Sequence, residues 1–101
     1  MEKEKFYIVR GDRSGVFFGN IKERQPQRDG KSEVLMNNVR RLHYWDGAAS
    51  ISQLAVDGTV KPKDCRFTLT VDEVLILDAI EIDLCTDKAV KSIKAVVEWK
   101  K

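Results

Sequence analysis

Residues 40–58 read RRLHYWDGAASISQLAVDG, and this stretch decides how the rest of the chain is interpreted. Its first part has the character of a strand, in which Leu42 and Tyr44 share one face because strand side chains alternate. Asp-Gly at positions 46–47 then breaks the strand. The stretch therefore predicts the end of a strand that turns sharply into a helix.

A short helix is predicted at about residues 48–57. Ser50 stands three residues before Gln53, which is the spacing of a capping box, and the apolar residues that follow recur at helical spacing. Gly58 is suited to the position just after a helix. Asp46 is a competing cap if the helix begins a turn earlier.

Outside this stretch, apolar runs separated by turn residues predict a mostly β chain. Asn37-Asn38 interrupts the apolar pattern, which indicates a bulge or a tight turn, and residues 25–32 are polar enough for a hairpin tip. A second helix is predicted at about residues 87–95, with Thr86 as its cap. The fold class is α+β, mostly β, with about six mainly antiparallel strands, curled or barrel-like, and two short helices. The predicted strands begin at Phe6, Val16, Glu33, Val39, Cys65 and Val74.

Residues 74–77, Val-Leu-Ile-Leu, are apolar at every position. A strand that is apolar on both faces is typical of the interior of a sheet. We therefore expect residues 74–77 to form the best-buried strand, and we expect Trp99 to pack back onto the domain.

The composition limits the classes of protein. A chain of 101 residues fits one domain, residues 1–101, and a net charge of +2 does not favour a nucleic-acid binder. The sequence has no apolar run long enough to span a membrane, and its charged start does not resemble a secretory signal. These features predict a cytoplasmic protein. Cys65 and Cys85 would then be free, buried thiols, although one disulfide is an alternative.

We find no signature of catalysis. The sequence lacks a phosphate-binding glycine loop, a nucleophilic elbow and zinc-ligand spacing. A thiolate pair between Cys65 and His43 is disfavoured because cysteine more often serves as a small core residue. Glu81 and Asp83 alternate with apolar residues as on a solvated strand face. We therefore expect no catalytic residues, no metal, no cofactor and no enzyme activity.

Several ligand-binding properties converge in residues 40–53. The start of a helix offers unpaired N–H groups and favours anions, arginine makes bidentate contacts to phosphate, and flat rings stack on a base. The two arginines are expected at the surface. The predicted ligand-binding residues are Arg40, Arg41, His43, Tyr44, Trp45, Gly47, Ala48, Ser50 and Gln53.

Two other interpretations fit the same residues. In the first, Ser50 only caps the helix, Tyr44 and Trp45 fill the core, and the arginines are solvated. In the second, the arginines and aromatic rings bind a protein partner, because interfaces are enriched in these residue types.

The stretch also carries a resemblance that extends over most of the chain. The motifs are GVFFG at positions 15–19, YWDGAA at 44–49 running into SQLA at 52–55, and CRF at 65–67. The ending around residues 91–93 and Trp99 is also similar. With these motifs the chain resembles a group of small, functionally uncharacterised bacteriophage and prophage proteins. The resemblance implies an origin in a bacteriophage or prophage and a location in the cytoplasm of the host bacterial cell, and it implies no particular activity.

The leading hypothesis is a non-enzymatic phage or prophage binding protein that sequesters a small anionic nucleotide-type signalling ligand and so counters host defence. The alternative is a protein-interaction module that inhibits or redirects a host protein, and the third is a small nucleotide-acting enzyme. A homo-oligomer, most simply a dimer, is expected because a small chain can share a pocket between subunits. Phe17 and Trp99 are the interface candidates.

Overall fold

Five antiparallel strands and two short helices make up the structure, a computed structural model that describes residues 4–101. Residues 1–3, part of the charged start considered above, lie outside the described residues. A 3₁₀ helix at Pro62–Asp64 precedes β4. The elements in chain order are β1 (Tyr7–Gly11), β2 (Val16–Pro26), β3 (Ser32–Tyr44), α1 (Ile51–Asp57), β4 (Arg66–Phe67), β5 (Val71–Leu84) and α2 (Asp87–Ala95).

The strands form one sheet that curls into a ring without becoming a barrel. Their order is β2-β1-β5-β3-β4, and β2 also pairs with β3, so the pairing returns to its starting strand. The long strands allow this because each changes partner along its length. β5 pairs with β3 in its first half and with β1 in its second half. The predicted fold class, mostly β and curled, is confirmed.

The predicted third and fourth strands are one strand, β3, which reduces the number of strands to five. Asn38 has a φ of 54°, and the register of β2 against β3 shifts at this point. Asn37-Asn38 is therefore a bulge that bends a continuous strand. Gly19 lies opposite, where an added Cβ would stand 2.8 Å from the carbonyl oxygen of Asn37. Only glycine fits this close approach of two backbones.

The apolar side chains form two clusters on opposite faces of the sheet. The helix cluster joins the sheet to α1 and α2, and the concave cluster draws its members from β1, β2, β3 and β5. Neighbouring residues of β1 divide between them: Ile8 belongs to the helix cluster and Val9 to the concave cluster, and both are fully buried. The helix cluster consists of Phe6, Ile8, Phe18, Leu42, Leu54, Ala55, Cys65, Phe67, Cys85, Ala89, Ile93 and Val96. The concave cluster consists of Val9, Phe17, Val34, Met36, Val39, Ile76 and Ala79.

The prediction that residues 74–77 form the best-buried strand is wrong. Ile76 is buried in the concave cluster, but Leu75 is 53% exposed and Leu77 is 63% exposed. The reason is that the helices cover the outer face of the sheet near β1, and no described element covers it at this part of β5. β1, by contrast, is buried on both faces.

Local capping fixes both helices. The Ser50 hydroxyl accepts a hydrogen bond from the Gln53 N–H at 3.1 Å, and the Thr86 hydroxyl accepts one from the Ala89 N–H at 3.1 Å. α2 has the predicted bounds, whereas α1 begins at Ile51, later than predicted. Asp46 is not the cap. Within the described part of the chain, no helix combines the length and the apolar character needed to cross a membrane.

Candidate functional site

Arg40, predicted to be a surface ligand contact, is buried. Its Nε donates to the carbonyl oxygen of Thr68 at 2.8 Å, Nη1 to that of Ile93 at 2.8 Å, and Nη2 to that of Phe67 at 3.1 Å. The guanidinium also lies over the Phe67 ring at 5.7 Å. The expectation of a solvated Arg40 is therefore wrong, because the chain itself supplies three acceptors for the side chain.

The electrostatics agree with a structural role for Arg40. Burial lowers the pKa of the guanidinium, and the Glu98 carboxylate opposes that shift. Arginine nevertheless stays charged in proteins. A charged group that satisfies three backbone carbonyls ties β3 to β4, to the loop that follows β4 and to the last turn of α2.

Arg41 lies on the opposite face of β3, as strand alternation requires. Its guanidinium lies 4.5 Å from the centre of the Phe17 ring, and Nη1 donates to the carbonyl oxygen of Ser14. Arg40 contacts the helix cluster and Arg41 contacts a ring of the concave cluster. The structure therefore does not bring the two arginines together as a phosphate clamp.

Side chains at the start of α1 form hydrogen bonds with backbone N–H groups of the same segment. Besides the bond to the Ser50 hydroxyl, the Gln53 Oε1 accepts a hydrogen bond from the Ala49 N–H at 2.7 Å. The Ser50 half of the predicted capping box is therefore present, whereas the Gln53 side chain bonds the residue before the cap and not the backbone N–H of Ser50 that a complete box would use. The Ser50 cap is thus confirmed, but the rest of that interpretation is not, because Tyr44 is exposed and Arg40 is buried.

Gly47 and Ala48 shape the loop before α1. Gly47 has a φ of +83°, and an added Cβ would lie 2.5 Å from the Thr59 hydroxyl oxygen. That hydroxyl donates to the carbonyl oxygen of Asp46 at 2.6 Å. Ala48 and Trp45 are partly buried and pack against the helix cluster. The loop is therefore fixed against residues 59–61, and Trp45 offers less free ring surface than a stacking role requires.

His43 and Tyr44 belong to a different group of side chains, which also includes residues from outside the stretch 40–53. The His43 ring stacks on Trp99, with centroids 4.9 Å apart and an interplanar angle of 15°. Arg66 lies over the same indole at 5.7 Å and is the strand partner of Tyr44. We call His43, Tyr44, Arg66 and Trp99 the aromatic–arginine patch.

The patch is exposed but well anchored. Trp99 is 44% exposed and Tyr44 is 52% exposed. The Trp99 N–H donates to the carbonyl oxygen of Phe67 at 2.8 Å, and Glu98 forms a parallel bridge to Phe67, so the end of the chain continues the sheet beyond β4. The sequence analysis missed Arg66, because nothing local to residues 65–67 indicates that it would meet Trp99.

A cavity of about 390 Å³ lies beside Arg40. Phe6 and Phe18 stack in its wall with centroids 5.1 Å apart, and the Lys94 Nζ lies 4.2 Å from the centre of the Phe6 ring. Both rings are buried, which leaves little face for a nucleobase. Two cations, Arg40 and Lys94, line the cavity together with two carboxylates, Glu4 and Glu98.

The remaining candidate groups are the two cysteines and any cluster of metal-ligating side chains. Cys65 and Cys85 are both free and buried, and burial together with Asp83 raises the pKa of the Cys85 thiol to about 12. The Cys65 thiol contacts Asp46, Thr59 and Lys61 rather than His43. Residues 4–101 contain no group of histidine, cysteine and carboxylate side chains that could hold a metal ion.

Comparison with known proteins places the chain in a family. A family model described as a domain of unknown function, DUF6948, matches residues 4–93. Searches of curated proteins and of solved structures find no match to the chain. The matched range contains every strand and nearly all of α2, and it ends before Trp99. The chain therefore belongs to the DUF6948 family, an uncharacterised domain.

Proposed function

We propose that this chain is a non-enzymatic binding protein that contacts a partner protein through the aromatic–arginine patch. The observation that carries the proposal is the exposed stack of His43 and Trp99, flanked by Arg66 and Tyr44. Tryptophan, tyrosine and arginine are the residue types that contribute most to the binding energy of protein interfaces.

The anchoring of Trp99 supports the same proposal. Its backbone bond to Phe67 and its stack on His43 hold the indole in place before any partner arrives. A side chain that is already ordered loses less conformational entropy on binding. The patch is thus suited to recognition with little rearrangement.

Capture of a small nucleotide-type ligand is the second candidate, and the cavity beside Arg40 is the observation that favours it. Its volume of about 390 Å³ lies in the range typical of small-molecule sites, and Arg40 and Lys94 are cationic. We rank it second because Glu4 and Glu98 offset that charge and because Arg40 already donates to three carbonyl groups. Mass spectrometry of small molecules released by heat from natively purified protein tests this candidate.

We further propose that the family comes from bacteriophages or prophages and that the partner is a protein of the host cytoplasm whose action in defence is inhibited or redirected. The support is the resemblance carried by the GVFFG, YWDGAA and SQLA motifs. Self-association through the patch is a related proposal, since Trp99 is accessible. The proposal leaves out Phe17, the other interface candidate, because its side chain is only 3% exposed.

The test is affinity purification of the tagged chain from the bacterium that carries its gene, with quantitative mass spectrometry. We expect a partner that is retained by the wild-type chain and lost by Trp99→Ala and Arg66→Ala. Val60→Ser is the matched control, because Val60 is 81% exposed and lies outside the patch. Equal retention by all four proteins would contradict the proposal, and light scattering distinguishes a second copy from a different partner.

A further inference from the structure

A second surface, independent of the aromatic–arginine patch, lies along the first half of β5. Over residues 71–76 the strand pairs with β3 on one side, and β1 reaches only Ala79 to Leu84. Just after β1, the Asp12 N–H donates a hydrogen bond to the carbonyl oxygen of Asp78 at 2.9 Å. Among the described residues, the other edge of β5 at residues 71–77 therefore has no strand partner.

The outer face beside this edge is apolar at its centre. Leu75 pairs across the sheet with Leu35, and Leu77 lies two residues further along β5 on the same face. Leu75 and Leu77 are each more than half exposed. An exposed apolar strand with an open edge is a template for addition of another strand.

β5 itself contributes only negative charge to this edge. β5 contains five carboxylates and neither lysine nor arginine. Asp72 and Glu73 are both exposed on the first half of β5. Within the described part of the chain, neither of these two carboxylates forms an ion pair.

We propose that the open edge of β5 binds an extended segment of another protein that combines an apolar run with adjacent lysine or arginine residues. The strand position opposite residues 74–77 takes the apolar run, because Val74 and Ile76 face the concave cluster while Leu75 and Leu77 face outward. The positions opposite Asp72 and Glu73 take the cations. Main-chain hydrogen bonds supply affinity in such strand addition, and the side-chain pattern supplies specificity.

The same charges disfavour a second copy of this chain on this edge. An antiparallel pairing of β5 with itself would bring the carboxylates of Asp72, Glu73 and Asp78 close to those of the other copy. Like charges across neighbouring strands are destabilising, whereas opposite charges are favourable. Charge complementarity therefore selects a cationic segment.

The test uses a fluorescein-labelled peptide with four β-branched apolar residues next to two lysines, and a control peptide with glutamates in place of the lysines. We expect fluorescence anisotropy to show binding of the lysine peptide only. We expect Glu73→Lys to weaken binding roughly tenfold, because an attractive cross-strand pair becomes a repulsive one. Asp64→Lys, a change of an exposed carboxylate outside β5, is the matched control and should leave binding unchanged.

Amide hydrogen exchange gives a second readout, and it should slow at residues 71–77 when the lysine peptide binds. Asp72→Lys repeats the charge reversal at a second exposed position in case Glu73→Lys does not fold. Equal binding of the two peptides, or unchanged binding by both charge-reversal variants, would overturn the proposal. A dimer in light scattering that Leu77→Ser dissociates would also overturn it, because the edge would then belong to a second copy.

Discussion

The outer surface of the sheet differs between the region around β1 and the first half of β5. Helices α1 and α2 pack over the first region, where Ile8 and Val9 of β1 are both fully buried. The first half of β5 is equally apolar in sequence, yet Leu75 and Leu77 remain exposed beside the buried Ile76. The comparison shows that the burial of a strand depends on what packs over it as well as on its own hydrophobicity.

The largest expected effect on stability is a difference between substitutions on the two faces of β5. Ile76→Ala should lower the free energy of unfolding by about 2–5 kcal/mol, because it removes a buried side chain and leaves a cavity. Leu77→Ala should change it by no more than about 0.5 kcal/mol, as is usual for an exposed site. Denaturant unfolding of the two variants measures the difference. Equal losses in both would mean that the outer face of β5 is covered in solution.

The next largest effect is a difference in stability between substitutions of Arg40 and Arg41. Arg40→Ala should destabilise the fold by about 2–4 kcal/mol, since an unsatisfied buried polar group costs about 1–3 kcal/mol and the adjoining cavity admits water to some of the three carbonyls. Arg41→Ala should cost about 1 kcal/mol or less, because that guanidinium is exposed and its main contact is with the Phe17 ring. Thermal and denaturant unfolding provide the comparison. An Arg40→Ala variant as stable as Arg41→Ala would contradict the structural role assigned to Arg40.

The smallest effects concern the pH dependence of stability, and they distinguish two carboxylates in the second half of β5, Asp78 and Glu81. The Asp78 carboxylate accepts hydrogen bonds from the Ser14 hydroxyl and from the N–H groups of Arg13 and Ser14, which lower its pKa. A lowered pKa contributes stability above the ordinary titration range of aspartate, and that stability is lost as the pH falls. Asp78→Asn should therefore reduce stability at neutral pH and flatten its decline in acid.

The pKa of Glu81 is shifted in the opposite direction. A hydrogen bond with the Asp83 side chain and partial burial raise the pKa of Glu81, so the folded state favours the protonated carboxyl. The associated stability is present in acid and is lost as the pH rises through the raised pKa. Glu81→Gln should lessen this loss and make the protein slightly more stable at neutral pH. Unfolding titrations across the acid range test both signs, and the same pH dependence in both variants would contradict them.

Local features of this chain could be predicted from its sequence. The Ser50 and Thr86 hydroxyls each accept a hydrogen bond from the N–H three positions later, so the spacing carries the signal. The bulge at Asn37-Asn38 was indicated in the same way. These features depend on backbone geometry within one turn or one strand.

Long-range contacts could not be predicted in this way. The carbonyl groups that hold Arg40 lie 27, 28 and 53 residues away along the chain, so no local pattern distinguishes this arginine from a solvated one. The meeting of Arg66 with His43 and Trp99 also depends on how β3, β4 and the end of the chain come together. The candidate site in the structure is therefore the aromatic–arginine patch, which shares only His43 and Tyr44 with the ligand-binding residues predicted from the sequence.

Site-specific photo-crosslinking in cells tests the proposed binding surface most directly. A photoreactive phenylalanine analogue at position 44 lies within the aromatic–arginine patch, and the same analogue at position 53 lies at the start of α1. We predict that position 44 yields a covalent adduct with a partner protein, that position 53 yields none, and that Trp99→Ala abolishes the adduct. An adduct formed from position 53 alone, or one from position 44 that is unaffected by Trp99→Ala, would contradict the account.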